Sequence, residues 1–591
     1  MRHPPLLALA WLAGCGLSSF SDPLPPDPVP ALGQPVFGAT VTRPTPPPPI
    51  SGGTLTVLAD GVHAVASDPD RDRVYVVDLH ANTKVADLAL APGDEPGRVI
   101  EDGAGRVHVV LRSGGALVTI DPATWSITAR RVVCPAPRGA AWEPATDLVH
   151  VACAGGELVS LPAAGGAAVR SLTLDRDLRD VVVSRGQVYV SRFRSAELLA
   201  IDASGQIASR DNPAGFAIDA FSTFTPDAAW RMVAAPDGVF VVHQRALNGI
   251  VHTGHGGYGD DGEGSCSNAI VHSTITHYVA GQAAEAWPAL PGAVVPVDLA
   301  AAHHTDALAV VSAGNAKVPG APTVIVYHQT HGGGGNDCDG DGRLMSGGIE
   351  PTAVAYTLGD QLLVQSREPA VLENVDTGQV IVLASDSVAD TGHDVFHANA
   401  GAGIACASCH LEGGDDARVW KFDSSGRRRT QALRGGILGT EPFHWDGDEA
   451  DFSHLAHDVF ESRMAGPTLT PEQLQATASW VNRIPLIAKA PGDAAAIARG
   501  KALFDDVNGA GCVTCHNGPK MTNSALVDVG TSGTFKVPRL LGLVDRAPYL
   551  HDGRAATLID RFSVGGGDLH GKTSQLTAAQ ISDLVAYLQS L

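Results

Sequence analysis

Methionine is scarce in this chain of 591 residues. There are five, and only Met464 and Met521 lie beyond residue 385, so a soft thioether ligand in the second half has two possible sources. Basic charge is short as well. Lys and Arg number 41 against 63 Asp and Glu, a formal charge of −22, which argues against nucleic acid, whose phosphates demand a basic face. After the first residues no stretch is long and apolar enough for a transmembrane helix, so membrane contact is left to an anchor.

What is present is a repeated pentapeptide. Cys406-Ala407-Ser408-Cys409-His410 and Cys512-Val513-Thr514-Cys515-His516 each place two thiols three apart, with an imidazole next. That spacing lets the thiols reach the two vinyl groups of a c-type haem while the histidine ligates its iron. A zinc knuckle and a redox dithiol are the other readings of Cys-x-x-Cys, but a dithiol has no need of the following histidine.

The repeat extends well past the motif. Counting 32 residues on from His410 and His516 reaches Pro442 and Pro548, which open Pro-Phe-His-Trp-Asp-Gly and Pro-Tyr-Leu-His-Asp-Gly. Upstream, Gly392 and Phe396 match Gly500 and Phe504; downstream, Thr470 with Gln473 and Thr577 with Gln580 read as capping boxes that open amphipathic helices carrying Trp480 and Tyr587. Two tandem units follow, each with a first helix whose glycine allows close approach to a last helix bearing an aromatic. Counting 54 residues on from each histidine gives Met464 and His570, the expected second axial ligands.

The chain begins with a short charged and apolar stretch ending in Leu12-Ala13-Gly14-Cys15, which resembles a lipoprotein signal. The resemblance implies a signal peptide over 1–14, lipid on Cys15 and a location on the periplasmic side of the cell envelope, with a plain signal peptide as the alternative. Residues 15–50 end in a proline run and are expected to form a solvated tether. Four cysteines remain after lipid and haem, which suits an oxidising compartment, and the expected disulfides are Cys134–Cys153 and Cys266–Cys338.

Residues 51–385 change texture to short alternating strands between Gly, Asp and Pro turns. An apolar strand recurs seven times, at Arg73, Arg106, Leu148, Gln187, Gly238, Ala307 and Gln361, with early spacings suited to four-stranded blades. The segment resembles a seven-bladed β-propeller of the YVTN type. Asp337, Asp339 and Asp341 before Gly342 resemble a calcium loop, although the twelfth position is Gly348 in place of glutamate. Histidines cluster between His243 and His277, where a metal site competes with plain surface residues. The fold class is therefore multidomain: an all-β seven-bladed propeller over 51–385, then two tandem mainly-α c-type cytochrome domains over 386–490 and 491–591.

Residues 388–591, with both pentapeptides, Trp445 and Phe535-Lys536-Val537-Pro538-Arg539, resemble the bacterial di-haem cytochrome c peroxidase and MauG family. The resemblance implies a peroxidatic first haem, an electron-transfer second haem and Trp445 between them. Hydrogen peroxide would be the substrate, and a small redox protein or a quinol-linked donor the electron source. A peroxidatic haem needs a residue that moves a proton between peroxide oxygens. The family pattern departs here: Asp446-Gly447-Asp448 stands in place of Asp-Gly-Arg, and Leu455 and Ala465 occupy the positions of a glutamine and a glutamate. His454, His457 and Glu461, at helical spacing, are the expected replacements. The competing readings are a pure electron-transfer lipoprotein and a peroxide-dependent modifier of a protein bound by the propeller.

Overall fold

The computed structural model describes Met1 and residues 33–217, 223–259, 269–284, 287–290, 292–328, 343–345 and 348–591. The expected lipid site Cys15, the pair Cys266 and Cys338, and Asp337, Asp339 and Asp341 lie outside the described residues.

Alternating apolar residues between tight turns give seven four-stranded antiparallel sheets in chain order, over 55–89, 96–132, 137–173, 178–211, 216–279, 298–345 and 351–382. Each of the seven recurrent segments falls in a different sheet, from Arg73–Asp78 to Leu362–Arg367. Turn aspartates fix the hairpins: Asp78 accepts from the amides of His80 and Ala81 at 2.9 and 2.7 Å, and Asp121 accepts from that of Ala123 at 2.9 Å. Early strands of successive sheets touch in order, and Leu55–Val57 of the first meets Pro351–Tyr356 of the seventh, which closes the succession. Cys134 and Cys153 form the expected disulfide. His243 and His272 are not surface loop residues; both are buried in paired strands.

Beyond residue 390 the chain forms two similar helical units. In the first, α1 (Thr391–His397) crosses α2 (Pro471–Asn482); in the second, α3 (Ala494–Asp505) crosses α4 (Ala578–Ser590). The glycines make these crossings possible. A Cβ on Gly392 would stand 2.5 Å from that of Trp480, and one on Gly500 would stand 1.9 Å from the Asp583 carbonyl oxygen. Both capping boxes form, with the Thr470 and Thr577 amides each donating to the glutamine three residues on at 2.9 Å.

The two halves share their core. Phe224 and Leu247 of the fifth sheet, with Val251 and Ile270 of the connection between its last two strands, pack with Ile404, Trp420, Phe460 and Met464 of the first helical unit. Ile250–Val251 also pairs in parallel with Val419–Phe422, so a sheet crosses the junction. At the same junction Glu412, 2 % exposed, accepts from Arg179 at 2.6 Å, Arg112 at 2.9 Å and Arg434 at 3.3 Å. Burial alone would raise this carboxyl, and the surrounding guanidinia outweigh it and hold it well below the usual carboxylate range.

The tether expectation is corrected over its described part. Trp480 Nε1 donates to the Pro47 carbonyl at 3.0 Å, Arg483 donates to the Arg43 and Pro44 carbonyls, and Thr391 N donates to Val41 O at 2.8 Å. Prolines leave their carbonyls unpaired, and the first helical unit uses them to bind residues 41–50 as a strap. Among the described residues no helix is long and apolar enough to cross a membrane.

Candidate functional site

One cavity of about 500 Å³ reaches both pentapeptides, touching Cys406, Cys409 and His410 at one end and Cys512, Cys515 and His516 at the other. Burial pushes the Cys406 thiol up to about 12 and Cys409 well above its ordinary value, so neither is a ready thiolate. These are apolar surroundings that suit an uncharged thioether.

At the second end His516 and His570 face each other with ring centroids 6.4 Å apart and planes 33° apart. Imidazole nitrogens bind metals at about 2 Å, so two rings ligating one ion from opposite sides have centroids about 6 Å apart. His516 Nδ1 lies 3.2 Å from the Met521 carbonyl and His570 Nδ1 3.2 Å from the Gly565 carbonyl; donation there leaves Nε2 free on each ring. Burial lowers their pKa values to about 4 and about 3, the neutral form that a metal requires. Met521 serves through its backbone.

The first end is built differently. Cys406–Cys409 forms one helical turn, and His410 follows, its basicity also lowered by burial. Met464, 3 % exposed, is on the cavity wall at the end of a π-helix, Ala456–Arg463, and packs with Phe460 and Leu469. Arg463 and His444 line the same space. His444 Nδ1 is 3.2 Å from Asp448 Oδ1 and 4.0 Å from Glu449 Oε1, a group compact enough to hold a metal ion.

Trp445 stands between the ends. Its Nε1 donates to the Arg429 carbonyl at 2.7 Å, its own carbonyl accepts from Lys536 N at 2.8 Å, and its ring lies 6.3 Å from that of His551. His551 in turn stacks on Phe535 at 3.8 Å. An aromatic path thus runs from the first unit into the second.

The residues fit two haems. Haem carries propionates, and the cavity wall holds Arg428, Arg429, Lys536, Arg539 and Arg546. Burial lowers Lys536 and Arg539 to about 8 and Arg546 to about 10. Arg429 Nε and Arg546 Nη2 are buried without a hydrogen-bond partner. Carboxylates would satisfy these donors and repay the cost of burying their charge.

Of the residues expected from sequence, the cavity gathers both pentapeptides, Trp445, Met464 and His570. It does not gather His454, His457 or Glu461. The His454 side chain is 65 % exposed against Asp451, and that of His457 is 79 % exposed against Glu461. The helix that carries them is α only to Leu455 and continues as a π-helix, and the face it turns to the cavity carries Leu455, Val459 and Arg463 instead. Sequence reasoning missed Arg463, because no local pattern marks it. It also missed Tyr258 and Ile270, which reach the cavity from the connection between the strands Gly238–Leu247 and Val271–Val279.

Comparison with known proteins places a cytochrome c domain at residues 497–591, which implies covalently bound c-type haem. Hydrazine synthase subunit gamma of Kuenenia stuttgartiensis is 27 % identical over 255 residues, 32 % of this chain and 72 % of that protein. Methylamine utilization protein MauG of Methylophilus methylotrophus is 24 % identical over 258 residues, again 32 % of this chain and 76 % of that one. Cytochrome-c peroxidase IdrP1 of Denitromonas iodatirespirans is 26 % identical over 169 residues, 18 % of this chain and 44 % of that one.

Proposed function

We propose that this chain is an exported di-haem c-type oxidoreductase that reduces hydrogen peroxide, or spends it on oxidising a partner, with electrons entering through the second haem. The first haem is held by Cys406, Cys409 and His410, the second by Cys512, Cys515, His516 and His570. The observation that carries the reading is the inequality of the two ends. His516 has an imidazole opposite it at 6.4 Å, whereas the residue that the repeat makes the counterpart of His570 is Met464, on the wall of the same cavity as His410, Arg463 and His444. A closed end suits electron transfer and an openable end suits peroxide. Trp445 connects them. The seven sheets are the blades of a closed propeller that walls the first haem and offers a surface to a partner, a small redox protein or a quinol-linked donor. A lipid on Cys15 anchors the protein outside the inner membrane.

The test is a paramagnetic resonance and optical spectrum of the fully oxidised and half-reduced protein. A first haem that is high spin, or becomes so when the second is reduced, supports the proposal; one that stays low spin and ignores peroxide removes it. The buried position of Met464 favours one second reading, an electron-transfer protein with both irons six-coordinate.

A further inference from the structure

The wall of the first cavity holds an unpaired donor. Arg463 Nη2 pairs with Asp458 and Nη1 lies 3.4 Å from Tyr258 Oη, while Nε is buried with no hydrogen-bond partner. A buried N–H left unmatched is costly unless something in the cavity accepts from it. The residue directly precedes Met464, so the repeat puts it on the side of the cavity across from His410. Its counterpart in the second unit is Leu569, 73 % exposed, where His570 closes the site. The second end has no arginine at this register; its guanidinium, Arg561, donates to the His570 carbonyl instead.

Its brace comes from the other half of the molecule. Tyr258 sits on a single turn, Gly257–Gly259, in the connection between the strands Gly238–Leu247 and Val271–Val279 of the fifth sheet. That turn is fixed to the end of the π-helix by Gly256 N, which donates to the Ser462 carbonyl at 2.8 Å. On its other side Gly259 packs so closely on Ala402 that a Cβ would come within 3.0 Å, and Ala402 N donates to Met464 O at 3.0 Å. Asp458 and Tyr258 together hold the two terminal nitrogens of the fork, and the side chain lines the cavity with its Nε unpaired.

We infer that Arg463 is the anion-binding residue of the first haem cavity, positioned by Asp458 and by Tyr258 from the sheet half, and that it hydrogen-bonds a small anionic ligand held opposite His410. Under the function proposed above, on which this inference rests, that ligand is peroxide, whose oxygens accept from the guanidinium. A planar, always-charged fork with a free N–H suits such a ligand better than an ammonium would. The sheet half is then part of the site's construction as well as its wall.

Fluoride is the probe, because it binds ferric haem without turnover. The full chain carrying both haems is titrated optically with fluoride, with the second haem oxidised and then reduced, as wild type, Arg463→Leu, Arg463→Lys and Tyr258→Phe. Loss of a charge-assisted hydrogen bond should weaken fluoride binding about tenfold to a hundredfold in Arg463→Leu, with Arg463→Lys intermediate and a smaller loss in Tyr258→Phe. Wild-type affinity in Arg463→Leu overturns the inference and leaves the peroxide reading intact; it would mean that this guanidinium serves a propionate. If Arg463→Leu does not fold, unchanged affinity in both Arg463→Lys and Tyr258→Phe overturns it equally. A wild-type protein that takes no fluoride in either redox state has a closed first site, and then the proposed function and this inference fall together.

Discussion

His570 faces His516 across 6.4 Å, each ring with its Nδ1 turned to a backbone carbonyl. Replacing His570 by alanine should leave that iron with an open position, seen as conversion of one low-spin haem to high spin by paramagnetic resonance. His570→Met should keep it low spin and raise its potential, because thioether sulfur favours the reduced iron. Wild-type spectra in both variants would place the second ligand elsewhere.

Trp445 is tied to both units, through Arg429 O and Lys536 N. Trp445→Phe should cost about 1 kcal/mol in thermal stability for the lost hydrogen bond, with both haems still attached. Its larger effect should be kinetic: after rapid reduction of the second haem, electron arrival at the first should slow in stopped-flow traces. An unchanged rate would route electrons around the indole.

Glu412 is the anion at a buried junction that Arg112, Arg179 and Arg434 all reach. Glu412→Gln would leave those charges uncompensated and should destabilise the chain by about 3–5 kcal/mol. The pH dependence follows from the lowered carboxyl. Its stabilisation is complete above the unfolded value of about 4.3 and is lost only as pH falls from there through the folded one. Denaturant melts at pH 7 should separate variant from wild type, and a shift under about 1 kcal/mol would mean that water or another anion does the pairing.

A second pH effect comes from the strap. His393 and His397 are buried side by side beneath it, their pKa values pushed well below the ordinary range by burial, and His397 Nε2 accepts from Ile50 N at 3.2 Å. Folding keeps both neutral, whereas the unfolded chain protonates them below about pH 6.5. Stability from this pair is therefore whole above that pH and is lost as pH falls below it. The melting temperature of the His393→Phe, His397→Gln double variant should fall less than wild type between pH 7 and 5. Parallel curves would remove the pair from the acid response.

The sequence showed the internal repeat because haem imposes spacing. The pentapeptides, Gly392 and Gly500, the capping boxes and the 54-residue step to Met464 and His570 all sit in local register; the glycines and capping boxes build the two helix crossings, and both pentapeptides, Met464 and His570 line one cavity. Seven recurrent strands were equally visible, since alternation is a property of neighbours in the chain. What escaped is long-range or conformational. Tyr258 reaches the first cavity by a fold-level juxtaposition with Arg463, 205 residues away, and nothing local foretells it. Helical spacing on an α template aimed His454, His457 and Glu461 at the site, but the α turn carrying His454 and the π-helix carrying His457 leave both histidines in solvent. Proline carbonyls over 44–47 look solvated until Trp480 and Arg483 are seen to need acceptors.

Met464 is where the two readings of function part. Its side chain is buried on the cavity wall with Phe460 and Leu469, and the repeat equates it with His570. If its sulfur ligates the first iron, the oxidised protein should show a weak long-wavelength charge-transfer band, Met464→Ala should abolish that band and turn the haem high spin, and peroxide consumption should rise because a coordination site has opened. If the first haem already opens when the second is reduced, Met464→Ala should leave the spectrum alone and cost stability only, about 2–5 kcal/mol for the cavity it makes. The exposed histidines supply the control. A true proton shuttle loses about a hundredfold or more on substitution, so His454→Ala and His457→Ala, which face solvent at 65 % and 79 % exposure, should consume peroxide at close to the wild-type rate. A hundredfold loss in either would show that the π-helix turns inward during catalysis, and the relay would have to be sought on that face.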